Sequence, residues 1–307
     1  MSVLGRFFRF VEITTKAISV LAFLTGAAYC LHRFGSIDIR STALFFIAMV
    51  LFDMTTTAIN NYIDKRASGQ TPHFSKGVSL FIIFLMFFTS MALGIYLTVQ
   101  CGIAVLLLGM LCFAVGIFYT FGPAPISRTP YGEAASGLVM GYCIPFLAIY
   151  IGAPQGSFLE INLTALPLAS VSMNIYEIIF VLLVSTPLAL TIANIMLANN
   201  ICDVEKDVTI NRYTLPYHIG NENALRLFAG LYYAAFAVMG LVSIAGIVPI
   251  WCLLSLITLI PVSRNIRAFK LKQIKSETFT LSVMNFLLIN AGFAVLIMLG
   301  AGIRHFF

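Results

Sequence analysis

Residues 60–68 read NNYIDKRAS and residues 199–207 read NNICDVEKD, and these two stretches decide the architecture that we expect for this 307-residue chain. Both contain the pattern Asn-Asn-x-x-Asp. Aligned, they pair Asn60 with Asn199, Asn61 with Asn200, Asp64 with Asp203 and Ser68 with Asp207. A pattern that recurs at a distance within one chain indicates an internal structural repeat.

The two stretches lie at the ends of long apolar segments in a chain that is 60% hydrophobic and only 10% charged, with a mean hydropathy of +0.98. Soluble domains are roughly 25% charged. This composition excludes a water-soluble domain and, despite the net charge of +6, a nucleic-acid-binding module. Segments of about 20 apolar residues cross a bilayer, and we predict nine of them, at about 13–32, 42–59, 78–98, 103–121, 132–152, 174–198, 222–246, 247–263 and 281–303.

The first stretch ends the second apolar segment and the second stretch ends the sixth. Segments 1–4 and 5–8 are therefore interpreted as two versions of one four-helix unit. We expect a single all-α, polytopic membrane domain over residues 1–307, with pseudo-repeats at about 1–121 and 132–263 and a final helix at 281–303. Both polar stretches then open on the same side of the membrane.

Basic residues predict that this side is cytoplasmic. With a cytoplasmic N-terminus, 15 of the 18 Lys and Arg residues fall on the cytoplasmic side, as the positive-inside rule requires. They are Arg6, Arg9, Lys16, Lys65, Arg66, Lys76, Arg128, Lys206, Arg212, Arg226, Arg264, Arg267, Lys270, Lys272 and Lys275. We interpret the last five as a topology and lipid-surface signal. No cleavable signal peptide is expected, because no small-residue cleavage site follows Arg6 and Arg9.

Spacing within the two stretches predicts a shared metal site. Residues four apart lie on one helix face, so two oxygen-bearing stripes converge if their helices face each other: Asn60 with Asp64, and Asn199 with Asp203 and Asp207. Converging carboxylates are stabilised by Mg²⁺, which completes its shell with water and phosphate oxygens. Taken singly, each stretch also fits an N-cap or a solvated helix end; the second copy favours the shared site.

A phosphorylated ligand needs further cations and hydrogen-bonding groups. The sequence offers Lys65, Arg66, Lys206, Arg212 and Arg128 close to the stretches, and arginine binds phosphate bidentately. Asp53 lies seven residues before Asn60, about 10.5 Å deeper on nearly the same face. Asp53 either meets a hydroxyl of a substrate or is hydrogen-bonded to neighbouring side chains, and Lys16 either pairs with Glu12 one turn away or faces a ligand anion.

The two stretches resemble the NDxxD-type and DxxxD-type aspartate motifs of the UbiA superfamily of intramembrane prenyltransferases. Within it, the chain is most similar to the polyprenyltransferases of 1,4-dihydroxy-2-naphthoate. Residues 12–16 (EITTK), 119–133 (YTFGPAPISRTPYGE) and 211–215 (NRYTL) carry this narrower likeness. The chain departs from the family pattern at Asn61, where Asp is common, at Ser68, where a carboxylate often stands, and at Asn211 and Arg212, where Gly and Lys stand.

The resemblance implies nine helices around a central cavity, a prenyl diphosphate bound through Mg²⁺, and transfer of the prenyl group to an aromatic quinone precursor in a bacterial cell membrane. For the naphthoate, carbon dioxide, a ring proton and diphosphate leave and demethylmenaquinone forms. The candidate catalytic and metal-binding residues are Asn60, Asp64, Asn199, Asp203 and Asp207. The candidate substrate-binding residues are Lys16, Asp53, Asn61, Lys65, Arg66, Tyr119, Arg128, Asn200, Lys206 and Arg212.

Other functions remain open from the sequence. The acceptor is the naphthoate, 4-hydroxybenzoate, homogentisate, haem or a lipid. A membrane transporter also shows repeats and polar residues at membrane depth, but it typically breaks its helices there. Here the acidic residues lie at helix ends beside basic loops, which favours the enzyme.

Overall fold

The computed structural model describes residues 2–67, 71, 73–162 and 170–306 of the chain. Within these residues nine helical segments are long and apolar enough to cross a membrane, which confirms the predicted all-α polytopic fold. These spans are Ile13–Phe34, Ile39–Ile63, Lys76–Cys101, Ile103–Thr120, Gly132–Gly152, Ile175–Thr209, Asn221–Ile244, Ile250–Leu271 and Phe279–Ile303.

The spans are built from α-helices with a few short 3₁₀ and π segments. In chain order the α-helices are α1 (Val3–Phe10), α2 (Ala17–Phe34), α3 (Ile39–Ala67), α4 (Lys76–Cys101), α5 (Ile103–Thr120), α6 (Gly132–Leu138), α7 (Ile144–Gly152), α8 (Ile175–Thr209), α9 (Leu215–Ile219), α10 (Asn221–Ile244), α11 (Leu259–Leu271) and α12 (Phe279–Phe306). The 3₁₀ segments are Ile13–Lys16, Ile126–Arg128 and Ile250–Thr258, and the π segment is Val139–Cys143. Strands β1 (Leu159–Asn162) and β2 (Ser170–Met173) pair antiparallel.

Helices α3 and α8 run further than the apolar pattern predicts. Their apolar segments were expected to end at 59 and 198, whereas the helices continue to Ala67 and Thr209. Each polar stretch therefore continues a helix, and its four-residue spacing places side chains on one face. We call the side of the bundle on which α3 and α8 end the motif side.

The fifth span is pressed closely against α8. A Cβ atom on Gly141 would lie 2.2 Å from the Ala189 Cα, and one on Gly137 would lie 2.8 Å from the Ala189 carbonyl oxygen. Only glycine permits such a close approach of two helix backbones. This contact fixes Glu133, one turn before Gly137, beside the last turns of α8.

The two halves of the chain pack in similar ways. Helix α3 packs along α4, which packs on α5; helix α8 packs along α10, which packs on the segment Ile250–Thr258. A repeated unit requires these equivalent contacts, although the repeat itself stays a prediction. The ninth span, α12, packs against α2, α8 and the segment Ile250–Thr258.

Short surface elements were not predicted. Helix α1 begins where Ser2 Oγ accepts a hydrogen bond from Gly5 N (3.1 Å), and its Phe10 side chain is buried against the motif side of α3. The β1–β2 pair lies between the fifth and sixth spans. These elements contain only a few residues each, so no apolar period of useful length marks them in the sequence.

Candidate active site

The second polar stretch lies on the last turns of α8. Asn199, Asp203 and Asp207 follow one another at four-residue intervals along one face. Asp207 is only 3% exposed, and its Oδ2 accepts no hydrogen bond. Arg212 Nε lies 3.6 Å from that oxygen, within range of an ion pair but beyond hydrogen-bond distance. A buried carboxylate oxygen without a partner is costly, and this one is able to bind a cation.

After α8 the chain turns back and brings Arg212 to the end of the helix. Asn211 has a φ of 54°, a left-handed conformation that glycine and asparagine tolerate best, so asparagine suits this position. The Arg212 backbone N–H donates to Asp207 O (2.9 Å). Its guanidinium donates to Ser127 O (2.9 Å) and Asn200 Oδ1 (3.4 Å). Arg212 thus ties the loop after α5 to the end of α8.

A buried glutamate from the fifth span joins this arrangement. Asn200 Nδ2 donates to Glu133 Oε1 (2.8 Å), and Asn199 Nδ2 donates to Asn200 Oδ1 (3.4 Å). Glu133 is 4% exposed, and neither its Oε2 nor the buried Tyr119 hydroxyl has a hydrogen-bond partner. Tyr119 interacts electrostatically with Glu133 and Arg212. Glu133 was not among the predicted site residues, although a carboxylate inside an apolar span is itself a signal.

Asp203 pairs with a lysine from the turn between α11 and α12. Lys275 Nζ forms an ion pair with Asp203 Oδ2. The Lys275 side chain is 50% exposed, and that of Asp203 is 13% exposed. The basic residues at the end of α11 and after it were interpreted as a signal for membrane topology and lipid binding. That interpretation does not account for the contact of Lys275 with the second polar stretch.

The described side chains of the first polar stretch contact the N-terminal segment. Asn61 Nδ2 donates to Phe10 O (3.0 Å) and to Glu12 Oε1 (3.1 Å). Asn60 is half-buried one residue earlier on α3. The amide of Asn61, predicted to bind substrate, fastens α1 and the residues after it to α3.

The rest of the first stretch is described only in part. Asp64 lies on α3, but its side chain, like the whole of Ser68, lies outside the described residues. Arg66 Nη1 donates to Tyr62 Oη (2.6 Å) and the guanidinium lies over the Tyr62 ring. Lys65, the residue before Arg66, is half-buried. The predicted roles of Asp64, Lys65 and Arg66 stay predictions.

His73 packs near the first stretch, in the segment that leads into α4. Its ring lies 5.9 Å from that of Phe10, centroid to centroid. Partial burial lowers the pKa of His73 below its usual value, and the charges of Lys65 and Arg9 lower this pKa further. The neutral imidazole is therefore the form that this packing favours.

Deeper in the bundle, Lys16 pairs with Asp53. The Lys16 ammonium donates to Asp53 Oδ1 (2.6 Å), Asp53 O (3.2 Å) and Thr57 Oγ1 (2.6 Å). Ser19 Oγ donates to Asp53 Oδ2 (2.5 Å). The Lys16 and Asp53 side chains are 5% and 17% exposed. The ion pair with Glu12 that local spacing favours is thus replaced by a pair between spans.

The remaining predicted cations are exposed on the motif side. Tyr213 N donates to Arg128 O (3.1 Å), and the Arg128 side chain lines an open surface pocket of about 460 Å³ with Tyr213, Tyr217 and His218. Lys206 is exposed on the last turn of α8. These residues surround the end of α8, and their predicted contacts with substrate stay predictions.

The model of the UbiA prenyltransferase family matches residues 19–300. This match covers all nine spans except their outermost residues. The chain belongs to the UbiA prenyltransferase family.

A curated relative of this UbiA-family chain is the 1,4-dihydroxy-2-naphthoate octaprenyltransferase of Bacillus subtilis (strain 168), which is 32% identical over 160 residues. The alignment covers 52% of this chain and 44% of that relative, so the chain spans less than half the length of the relative it matches. Two solved structures share the fold. A digeranylgeranylglyceryl phosphate synthase has a TM-score of 0.65 and 14% identity, covering 97% of this chain and 99% of that one. An Archaeoglobus fulgidus UbiA homologue bound to DMAPP and Mg²⁺ has a TM-score of 0.59 and 14% identity, covering 95% and 99%.

The oxygens at the end of α8 fit the magnesium ion that membership of the UbiA family implies. Among the described side chains no group of three or more His, Cys, Asp or Glu lies close enough to hold a metal; the side chain of Asp64 is not among them. Asp203 and Asp207 are two carboxylates one turn apart, and Asp207 Oδ2 has no hydrogen-bond partner. Mg²⁺ binds one or two protein carboxylates together with phosphate oxygens, so Asp203 and Asp207 are the described residues that would hold it.

Proposed function

We propose that this protein transfers a polyprenyl group from a prenyl diphosphate to 1,4-dihydroxy-2-naphthoate. The bond between the prenyl carbon and the diphosphate oxygen breaks, and a carbon–carbon bond to the ring forms. Diphosphate and carbon dioxide leave, and the ring proton that the prenyl group replaces is balanced by a proton taken up at the carbon that lost its carboxylate, giving demethylmenaquinone in its hydroquinone form. The unpartnered Oδ2 of buried Asp207, beside Arg212 and Asp203, carries the proposal, because a buried acidic pair next to an arginine suits a metal-bound polyanion.

The relatives support the choice of donor and acceptor. The Bacillus subtilis relative is named for 1,4-dihydroxy-2-naphthoate and an octaprenyl group, and the Archaeoglobus fulgidus homologue is bound to DMAPP and Mg²⁺. The proposal assigns an aromatic naphthoate acceptor and a prenyl diphosphate donor to this chain.

Each half of the chain contributes to the diphosphate site that we propose. Asn60 and Asp64 on α3, with Asn199, Asp203 and Asp207 on α8, supply oxygen ligands. Magnesium, when bound, neutralises the charge that builds up on the departing diphosphate. Arg212 holds the end of α8 in place and adds positive charge beside Asp207. Lys65, Arg66, Arg128 and Lys206 supply further positive charge at the surface.

Tyr119, Glu133 and Asn200 form the wall next to this site. Asn200 Oδ1 and Ser127 O accept hydrogen bonds from the Arg212 guanidinium and so restrict its position. A rigid, buried environment excludes water, which would otherwise capture a reactive allylic centre.

Lys16 and Asp53 contribute mainly by holding α2 against α3. All three ammonium hydrogens of Lys16 have acceptors on α3. Their predicted contacts with a substrate stay predictions.

We further propose that the motif side faces the cytoplasm of a bacterial cell. The support is the distribution of charge, since 15 of the 18 basic residues lie on that side under the nine-span topology. Reporter fusions at each inter-span loop test the orientation. Cytoplasmic signals from the loop after α4, instead of from the loop after α3, would reverse it.

The deciding experiment is an assay of the full-length protein in lipid nanodiscs. Prenyl diphosphates of different lengths are offered with 1,4-dihydroxy-2-naphthoate, 4-hydroxybenzoate or homogentisate, with and without Mg²⁺, and products are identified by mass spectrometry. We expect metal-dependent prenylation of the naphthoate, lost in Asp203→Asn and in Asp64→Asn. Glu205→Gln is the matched control, because Glu205 is an exposed acid between Asp203 and Asp207.

Three results would contradict the proposal. Prenylation of a different acceptor would change the substrate. Full activity in both Asp→Asn variants would remove the role of the polar stretches. Flux of a substrate across the membrane without a new carbon–carbon bond would favour a transporter.

A further inference from the structure

The turn between α11 and α12 holds its shape through its own hydrogen bonds. We call residues 272–278 the α11–α12 turn. Ile274 N donates to Thr278 Oγ1 (3.0 Å), and Thr278 N donates to Ile274 O (2.8 Å). Lys272 forms an ion pair with Glu277 at 2.6 Å across the turn. The two hydrogen bonds between Ile274 and Thr278 fix the backbone beside Lys275, whereas the ion pair, with both side chains 54% exposed, adds little.

Lys275 joins the α11–α12 turn to an acidic residue of α8. Its ammonium pairs with Asp203. Asp207, one turn further along α8, interacts electrostatically with Asp203 and with Lys275. The ammonium therefore contacts Asp203, one of the two described carboxylates that would hold a magnesium ion.

The basic residues near the end of α11 do not all behave alike. Lys272 forms an ion pair with Glu277 within the turn, whereas Lys275 forms an ion pair with Asp203 on α8. A lysine that serves only membrane topology needs no acidic partner of this kind.

We propose that Lys275 is a cationic residue of the diphosphate site. In the ligand-free protein its ammonium neutralises Asp203. When Asp203 binds a metal ion, the ammonium is displaced and donates to an oxygen of the diphosphate. Lysine suits this exchange, because its charge is a point on a flexible stem with rotatable donors, and half of this side chain is already exposed. This inference rests on the proposed function.

The test measures binding, separately for metal and for diphosphate. Full-length protein in nanodiscs is titrated with Mn²⁺ alone, followed by its electron paramagnetic resonance signal, and then with inorganic diphosphate in saturating Mg²⁺, followed by calorimetry. The variants are Lys275→Met and Lys275→Arg. Lys272→Met is the matched control, because Lys272 lies in the same turn, is exposed, and forms its ion pair with Glu277 and not with α8.

The expected shifts have opposite signs for the two ligands. Lys275→Met binds Mn²⁺ alone about 3- to 5-fold more tightly, because a competing ion pair of ordinary surface strength is removed. It binds diphosphate about 10-fold more weakly, because a charge-assisted hydrogen bond is lost. Lys275→Arg stays within about twofold of wild type for diphosphate, and Lys272→Met matches wild type in both titrations.

Each other outcome overturns the inference. Equal affinities in Lys275→Met and Lys272→Met would make Lys275 a surface charge. Weaker Mn²⁺ binding in Lys275→Met would mean that the lysine supports the metal instead of competing with it. Absence of Mn²⁺ and diphosphate binding in the wild type would overturn the proposed function together with this inference, whereas a failure confined to the variants leaves the proposed function standing.

Discussion

The ends of α3 and α8 carry the same Asn-Asn-x-x-Asp pattern, yet their described side chains contact different parts of the protein. On α8, Asp203 meets Lys275 and Asp207 lies near Arg212. On α3, the Asn61 amide meets Phe10 O and Glu12. The α8 end gathers charges from distant segments, whereas the α3 end fastens the N-terminal segment.

This difference indicates how one pattern serves two purposes. Buried charge without full compensation marks a place for a ligand, and the α8 end has an unpartnered Asp207 oxygen. A hydrogen-bonded amide marks a structural attachment. We therefore expect substitutions at the α8 end to change chemistry first, and substitutions of Asn61 and of Lys16 beside α3 to change stability first.

The largest effect is expected for Asp207→Asn. It keeps the shape of the side chain and removes the charge that would hold a metal. We expect the rate of prenylation to fall about 10²- to 10³-fold, the size of loss seen when a group that stabilises transition-state charge is removed. Steady-state kinetics at saturating Mg²⁺ measure it. Glu205→Gln on the same turn stays within about twofold, and an equal loss in both variants would refute a special role for the buried acid.

The second prediction concerns the buried ion pair beside α3. Lys16→Met leaves Asp53 charged and without its main partner, which costs about 3–5 kcal/mol for a buried pair. We expect a lower melting temperature in detergent, with diphosphate affinity changed less than twofold in the folded fraction. The double variant Lys16→Met with Asp53→Leu recovers much of the stability, because no uncompensated charge remains. A Lys16→Met protein of normal stability that loses diphosphate binding would place Lys16 in the substrate site.

The third prediction separates the two functions of Arg212. Arg212→Lys keeps the charge but loses the hydrogen bonds to Ser127 and Asn200, each worth about 0.5–1.5 kcal/mol. We expect a lower melting temperature and a KM for prenyl diphosphate within about threefold of wild type. Arg212→Gln loses the charge as well, and its KM rises about 10-fold. Equal KM values for the two variants would make Arg212 purely structural.

Most of the fold was predictable because its signals are local. Nine apolar segments predict nine spans, and four-residue spacing on a helix predicts the face shared by Asn199, Asp203 and Asp207. The predicted apolar segments end at 59 and 198, where the polar stretches begin, while the helices that carry these stretches continue to Ala67 and Thr209. Helix α1 and the β1–β2 pair are too short to produce a period.

The partners in the site were less predictable because packing chooses them. Lys16 pairs with Asp53, 37 residues away, although Glu12 lies one turn away in sequence. Lys275 and Asp203 are 72 residues apart, so spacing contains no signal for their contact. Glu133 was visible as a carboxylate in an apolar span, and its contact with Asn200 depends on the close approach of Gly137 and Gly141 to Ala189.

The smallest effect is expected from pH, and it also distinguishes the two ends. Partial burial and the charges of Lys65 and Arg9 lower the pKa of His73 below its usual value, against the opposing charge of Glu12. The unfolded protein therefore binds this proton more readily than the folded protein, and stability falls as the pH drops below about 6.5.

We expect the melting temperature to decrease between pH 7 and pH 5.5 by on the order of 1 °C through His73, and this decrease to disappear in His73→Gln. The change belongs to the α3 end, because His73 packs on Phe10, whose carbonyl oxygen accepts from Asn61. A decrease in stability that persists in His73→Gln would move the pH-sensitive group elsewhere.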